Sequence, residues 1–275
     1  MFKARGYYNN RIINLETSNG TIWNRINNND KETNRSLLDV FGTNNYVDVW
    51  EQCHQIINTD DVLELGQGDY IDLTNGLPAP VNIAWRENYQ NLRLYILGFN
   101  CYKNSQSNTL NHILWGFKNI PIRKQMNDWN SNDYGIFGKT LKTYIEGDFL
   151  NAMISALGAD YFYTVARLVS TKSGSAVLNA KMWLPNEKEI FRSSTNGNDP
   201  DPQIHIPLYK DTAHRIKNWN GNANDWWLST PYTKQIPYDQ TALDRNFCTT
   251  DYFGNSGTHH SGYASVGVAP CFCQI

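Results

Sequence analysis

The side chains in this 275-residue chain that could do chemistry are six histidines, five cysteines and a few spaced carboxylates. His259-His260 is the one close histidine pair; the others stand alone at 54, 112, 205 and 214. Neighbours on a strand point to opposite faces, so the pair makes no bidentate metal site unless it lies in a loop. A solvated or ligand-contacting pair is expected. Asp199, Asp201 and Asp211 are too loosely spaced for a calcium loop, which wants closer oxygen ligands and a turn glycine. Glu187 and Glu189 could pair as catalytic carboxylates, but on a short helix they are expected to be solvated. Cys271-x-Cys273 shares one strand face, and Cys248 could sit on the neighbouring strand. Three thiols there could bind a soft metal, or could simply be small buried hydrophobes. Their apolar neighbours Phe247, Val268 and Phe272 favour reduced, structural thiols without metal. The phosphate-loop, nucleophile-elbow and zinc-protease signatures are all missing.

Certain elements must position these residues. Tyr46, Val49, Trp50, Cys53, Ile56 and Ile57 fall on one face of a helix that Asn44 or Asn45 can cap. A second helix spans about Lys139 to Leu157. Its face is Leu141, Tyr144, Ile145, Phe149, Met153, Ile154 and Leu157, and Gly158 can end it. Strands are expected at GQGDYIDL, with a turn at Asn75-Gly76, and at 92–102, 111–115, 164–171 and 181–185. NEKEIF reads as a short helical turn, MNDWNSNDYGIFG as a loop and SSTNGNDPDPQ as a surface loop. The last fifty-five residues alternate short apolar pieces with long polar runs, as an irregular antiparallel sheet with large loops would. The fold class is α+β.

Composition narrows the functions. Only 18% of residues are charged and 13% are aromatic, with 35 asparagines supplying much of the polar surface. Such a chain can bury a sizeable core. Net charge is −2, and no basic stretch tracks a phosphate backbone, so nucleic acid is not an expected partner. Tyr, Trp, Asn, Ser and Gly in excess over Lys and Glu suit recognition surfaces. No window is long and apolar enough for a membrane span, and no signal peptide is apparent.

The succession GDYIDL, NHI, NDYGIFGKTL, ARLVST, MWLPNEKEIF, YKDTAHRIK, WWLSTPY, NFC and GVAPCFC resembles tail-associated proteins of phages and prophages from Gram-positive and gut bacteria. The resemblance spans roughly residues 66–275. It implies a C-type-lectin-like fold of the formylglycine-generating-enzyme subclass, like the variable proteins of diversity-generating retroelements. Residues 1–65 then form an N-terminal helical or irregular attachment or oligomerisation segment. Ser229-Thr230 departs from the Arg-Ser often found in such proteins, and KQIPYDQTALDR suggests an enlarged display loop.

The residues themselves suggest the same division. Trp226, Trp227, Leu228, Phe247, Val266, Val268, Pro270 and Phe272 are expected in the core. Tyr232, Lys234, Tyr238, Asn246, Thr249, Asp251, Tyr252, Asn255, His259, His260 and Tyr263 lie between them, with Asn222 and Asn224 at the margin, and are expected to contact ligand. The leading expectation is a receptor-binding protein of the virion, made in the host cytoplasm and carried on the tail. It would bind a bacterial surface protein or glycan, neighbour other tail proteins, and need no cofactor or metal. A homotrimer is the assembly such tail proteins commonly form. A structural tail or baseplate component is one alternative. Another is a thiolate oxidase, because GVAPCFC stands where that branch of the fold carries its terminal cysteine motif.

Overall fold

The computed structural model describes residues 7–8, 11–12, 32–59, 65–74, 91–102, 111–127, 139–171, 174–200, 204–234 and 245–275. The Asn75-Gly76 turn, most of the 126–138 loop, Asp201, Tyr238 and most of KQIPYDQTALDR lie outside these residues. In chain order the elements begin with β1 (Tyr7–Tyr8), β2 (Arg11–Ile12), α1 (Leu37–Phe41), α2 (Tyr46–Thr59) and β3 (Tyr70–Thr74). Next come β4 (Asn91–Phe99), β5 (Ile113–Phe117), β6 (Ile122–Arg123) and α3 (Lys139–Tyr144). A π-helical turn (Ile145–Phe149) joins α3 to α4 (Leu150–Leu157). Then follow β7 (Phe162–Tyr163), β8 (Val165–Thr171), β9 (Gly174–Ala180), β10 (Met182–Trp183), α5 (Glu187–Phe191), a 3-10 turn (Pro207–Lys210) and α6 (Thr212–Arg215). The final run is β11 (Lys217–Trp219), β12 (Asn222–Asn224), β13 (Trp226–Pro231), β14 (Asn246–Thr250), β15 (Ser256–His260), β16 (Gly267–Val268) and β17 (Cys271–Gln274). The fold is mixed α+β and mostly strand.

Two sheets carry the molecule. The first runs β10-β17-β5-β4-β3, with β7 also paired to β17; the second runs β15-β14-β13-β16-β6. Among the described strands of these two sheets every ladder is antiparallel except β13 with β16, and isolated parallel bridges join Glu32 to Gln67 and Ser36 to Tyr70. β5 and β17 are buried along their whole length, so the CFCQ strand lies inside the molecule. Trp50, Trp115, Trp183, Trp226 and Trp227 are among the largest fully buried side chains. Aromatic contacts knit the core: Trp50 to Trp115 at 5.5 Å and Phe162 to Phe272 at 5.2 Å.

The helices form where their apolar spacing predicts. Val49, Trp50, Cys53 and Ile57 of α2 are buried, and the Asn45 side chain accepts from the Val47 N–H at 3.0 Å. In the second helix Leu141, Ile145, Phe149, Met153 and Leu157 are all buried at a strict spacing of four. On a straight α-helix that spacing drifts by about 40° per step, or about 160° over four steps. The wider π turn through Gly147 absorbs part of the drift and keeps all five on the core. Gly158 ends the helix, donating to the Ile154 carbonyl at 2.8 Å.

Several expectations need correction. The core is continuous across the expected boundary at residue 65, because Leu37, Val49, Trp50, Cys53 and Ile57 belong to it. Glu187 and Glu189 are wholly buried, not solvated. Glu189 accepts from Arg167 through Nη2 at 2.6 Å and from the Tyr102 hydroxyl at 2.9 Å, and it closes a capping box with Asn186. The loop after α5 is not wholly a surface feature: Asp199 is 2% exposed and accepts from the Ser170 hydroxyl and the Lys188 N–H. Cys248 sits in β14 of the second sheet, while Cys271 and Cys273 sit in β17 of the first, so the three thiols share no strand pair.

Candidate ligand-recognition surface

The frame of the surface is built from β13, β14 and β15. All eight residues expected in the C-terminal core are buried. The Trp226 indole donates to the Arg215 carbonyl and that of Trp227 to the Lys124 carbonyl, both at 2.8 Å, so each ring is fixed in place. Beneath the frame lies a buried acidic network. Glu187 accepts from the backbone N–H groups of Asn196 and Gly197 and from the Ser256 hydroxyl, which ties the 194–199 loop to β15. The Thr230 hydroxyl receives the Glu187 N–H at 2.8 Å and contacts both Asp199 oxygens at 2.9–3.0 Å. The departure at Ser229-Thr230 is therefore an internal scaffold joint.

The expected contact residues do not form one patch. β14 and β15 pair from Thr250↔Ser256 at the turn to Asn246↔His260 at the other end. The ends are four residues, about 13 Å, apart. At the turn Tyr252 and Phe253 are exposed by 50% and 60%, with ring centroids 4.1 Å apart at 44°. Asn255 is exposed beside them. Asp251 builds this turn: its carboxylate accepts from the N–H groups of Phe253 and Asn255 at 2.9 and 2.8 Å. At the other end His259 hydrogen-bonds Asp225, and Tyr263 stands 5.6 Å from the His259 ring and 5.8 Å from the His260 ring. Tyr263 is 54% exposed, and both histidines are half-buried. Asn224 reaches this side, donating to the carbonyls of Asp225 and Ser265 at 2.7 and 3.2 Å. Asn222 is exposed on the β11–β12 hairpin, Lys234 is exposed beyond β13, and Asn246 is half-buried.

Two expected contacts are corrected. Thr249 is 0% exposed and Tyr232 only 7%, so neither faces solvent in this fold. β14 is covered on both faces, which defeats the apolar-in, polar-out alternation that a one-sided strand obeys. Burial also pushes the Tyr232 phenol up from its usual pKa. Phe253 was missed. Its signal is the Asp-Tyr-Phe-Gly-Asn turn, which places Tyr252 and Phe253 at a hairpin tip where neither can be core.

Burial pushes the Cys271 thiol up to about 12, and Cys248 and Cys273 are also raised well above the ordinary thiol range by burial. These thiols stay protonated at neutral pH. One group of described residues brings three metal-ligating donors within 4.8 Å: Glu32, Asp211 and His214. There the Glu32 carboxylate already accepts from His214 at 2.7 Å and Asn34 at 2.6 Å, and Asp211 caps α6. Among the described residues no helix is long and apolar enough to cross a membrane. Comparison with protein-family models, curated proteins and solved structures returns no match.

Proposed function

We propose that this chain is a recognition module of the phage-tail type. Its two-sheet body is read as a C-type-lectin-like domain of the formylglycine-generating-enzyme subclass. It binds a bacterial surface ligand through the β14–β15 turn and the segment leaving β15. One observation carries the reading. Among the described residues, the exposed large aromatics Tyr252, Phe253 and Tyr263 all fall within residues 252–263, while five tryptophans are shut into the core. Burying an aromatic is strongly favourable, so two left in water at the β14–β15 turn and one on the segment leaving β15 suit a binding surface. Low net charge suits contacts that salt perturbs little.

The test is attachment to whole bacterial cells. The full chain should bind at least one strain of a panel. A variant with Tyr252→Ala and Tyr263→Ala should keep the wild-type melting temperature and lose affinity about thirtyfold or more, as hot-spot truncation does. A variant that folds and attaches as well as wild type would sink the recognition reading. A structural tail component would take its place.

A further inference from the structure

The Tyr252–Phe253 pair points to a class of ligand, an inference that rests on the recognition reading above. We infer that the pair is a stacking platform for the pyranose rings of a neutral surface polysaccharide. The two rings lean on each other with centroids 4.1 Å apart at 44°, and both are at least half exposed. Each ring therefore covers one face of the other and leaves its own outer face, turned away from its partner, open to a sugar. A sugar ring presents a face of axial C–H groups that carry a slight positive charge, and an aromatic face is its electrostatic complement.

Three features favour a sugar over a protein. First, the pair stands exposed at the end of the β14–β15 ladder. An aromatic anchor in a protein interface instead fills a desolvated pocket at the centre of a broad contact. Second, the exposed side chain next to the rings is neutral. Asp251 turns Oδ1 toward the N–H groups of Phe253 and Asn255, and the exposed side chain beside the rings is the Asn255 amide. A neutral amide matches the hydroxyls of a neutral glycan. Third, the tip is seated. Gly254, at φ +82°, packs where an added Cβ would lie 2.9 Å from the Thr212 carbonyl oxygen. The rings are pre-ordered, and little conformational entropy is lost when a ligand docks.

The test uses strains that the full wild-type chain binds, counted by fluorescence of labelled protein. Mild periodate opens sugar rings at their vicinal diols, and proteinase K strips surface protein. Periodate should abolish attachment and proteinase K should leave it. Phe253→Leu keeps apolar bulk but removes the aromatic face, and should weaken attachment tenfold or more. Phe253→Trp keeps the face and should attach as wild type does. Attachment that survives periodate and is lost to proteinase K overturns the polysaccharide inference and leaves the recognition reading standing. Phe253→Leu attaching like wild type overturns it as well. Wild-type protein that attaches to no strain in the panel fails the recognition reading, and this inference falls with it.

Discussion

Lys217 lies fully buried among residues of both sheets. Its ammonium donates to the Tyr95 hydroxyl and the Phe117 carbonyl, and the rings of Tyr95, Tyr209 and Trp226 surround it at 5.0–5.2 Å. Burial lowers its pKa to about 7. The unfolded lysine titrates near 10.4. Between those values the unfolded chain holds more protons, so stability rises with pH, by up to about 1.4 kcal/mol per pH unit. The five buried thiols act in the opposite sense. Burial raises their folded pKa values, so above about pH 8.5 the unfolded chain releases thiol protons that the folded chain keeps. Five groups outweigh one, and stability should peak near pH 8. Urea unfolding across pH 7–10 checks this. Lys217→Met should flatten the rise between pH 7 and 8 and leave the fall above it. A variant with the same rise as wild type would show that Lys217 is not its source. The buried cysteines could be read from their apolar neighbours. The buried glutamates could not, because their partners are distant: Arg167 lies 22 residues from Glu189, and Ser256 lies 69 from Glu187.

The β14–β15 hairpin depends on one backbone conformation. Gly254 has φ +82°, and an added Cβ would lie 2.9 Å from both the Thr212 methyl and its carbonyl oxygen. Gly254→Ala therefore strains the backbone and drives the turn off α6. Gly221 has nearly the same φ, +81°, with open space around it. Gly221→Ala should cost about 1 kcal/mol, the ordinary penalty of a left-handed alanine. Gly254→Ala should cost roughly 2–3 kcal/mol, since a clash with fixed backbone is added. Chemical denaturation of the two variants side by side decides it; equal losses would mean that the turn is not seated on α6. Helical spacing suffices to place α2 and the helix after Lys139, whereas the last fifty-five residues read only as an irregular antiparallel sheet with large loops, which does not single out this hairpin. The π turn leaves no comparable mark. It settles how a four-residue spacing meets a flat core, and that surface exists only once the sheet has formed. The buried state of Thr249 is hidden for the same reason: a polar strand residue does not reveal that both faces of its strand are covered.

At the scale of the whole molecule, β17 closes the fold. The apolarity of CFCQI predicts that it is buried, but a single sequence does not say which strands flank it. It pairs with β5 along Cys271↔Gly116 to Gln274↔Ile113, and on its other side with β10 and β7. Gln274 adds a buried amide link: it accepts from the Trp115 indole at 2.9 Å and donates to the Trp50 carbonyl at 2.8 Å. The same strand thus anchors α2, which lies in the segment expected to attach separately. The Ile275 N–H reaches the Tyr161 carbonyl at 3.1 Å, tying in the turn before β7. Removing residues 268–275 would strip a central strand and leave β5, β7 and β10 with unpaired edges inside the core. The loss of Phe272 alone is worth about 3–5 kcal/mol, as for other buried aromatics. Val268, Cys271 and Cys273 are also fully buried, and the ladder hydrogen bonds go with them. Together these losses reach the whole of a typical domain's 5–15 kcal/mol. The truncated chain should show no cooperative heat-capacity peak in calorimetry and no near-ultraviolet dichroism from its tryptophans. A truncated protein that melts as sharply as the intact one would mean that β17 is an accessory strand and that the core is complete without it.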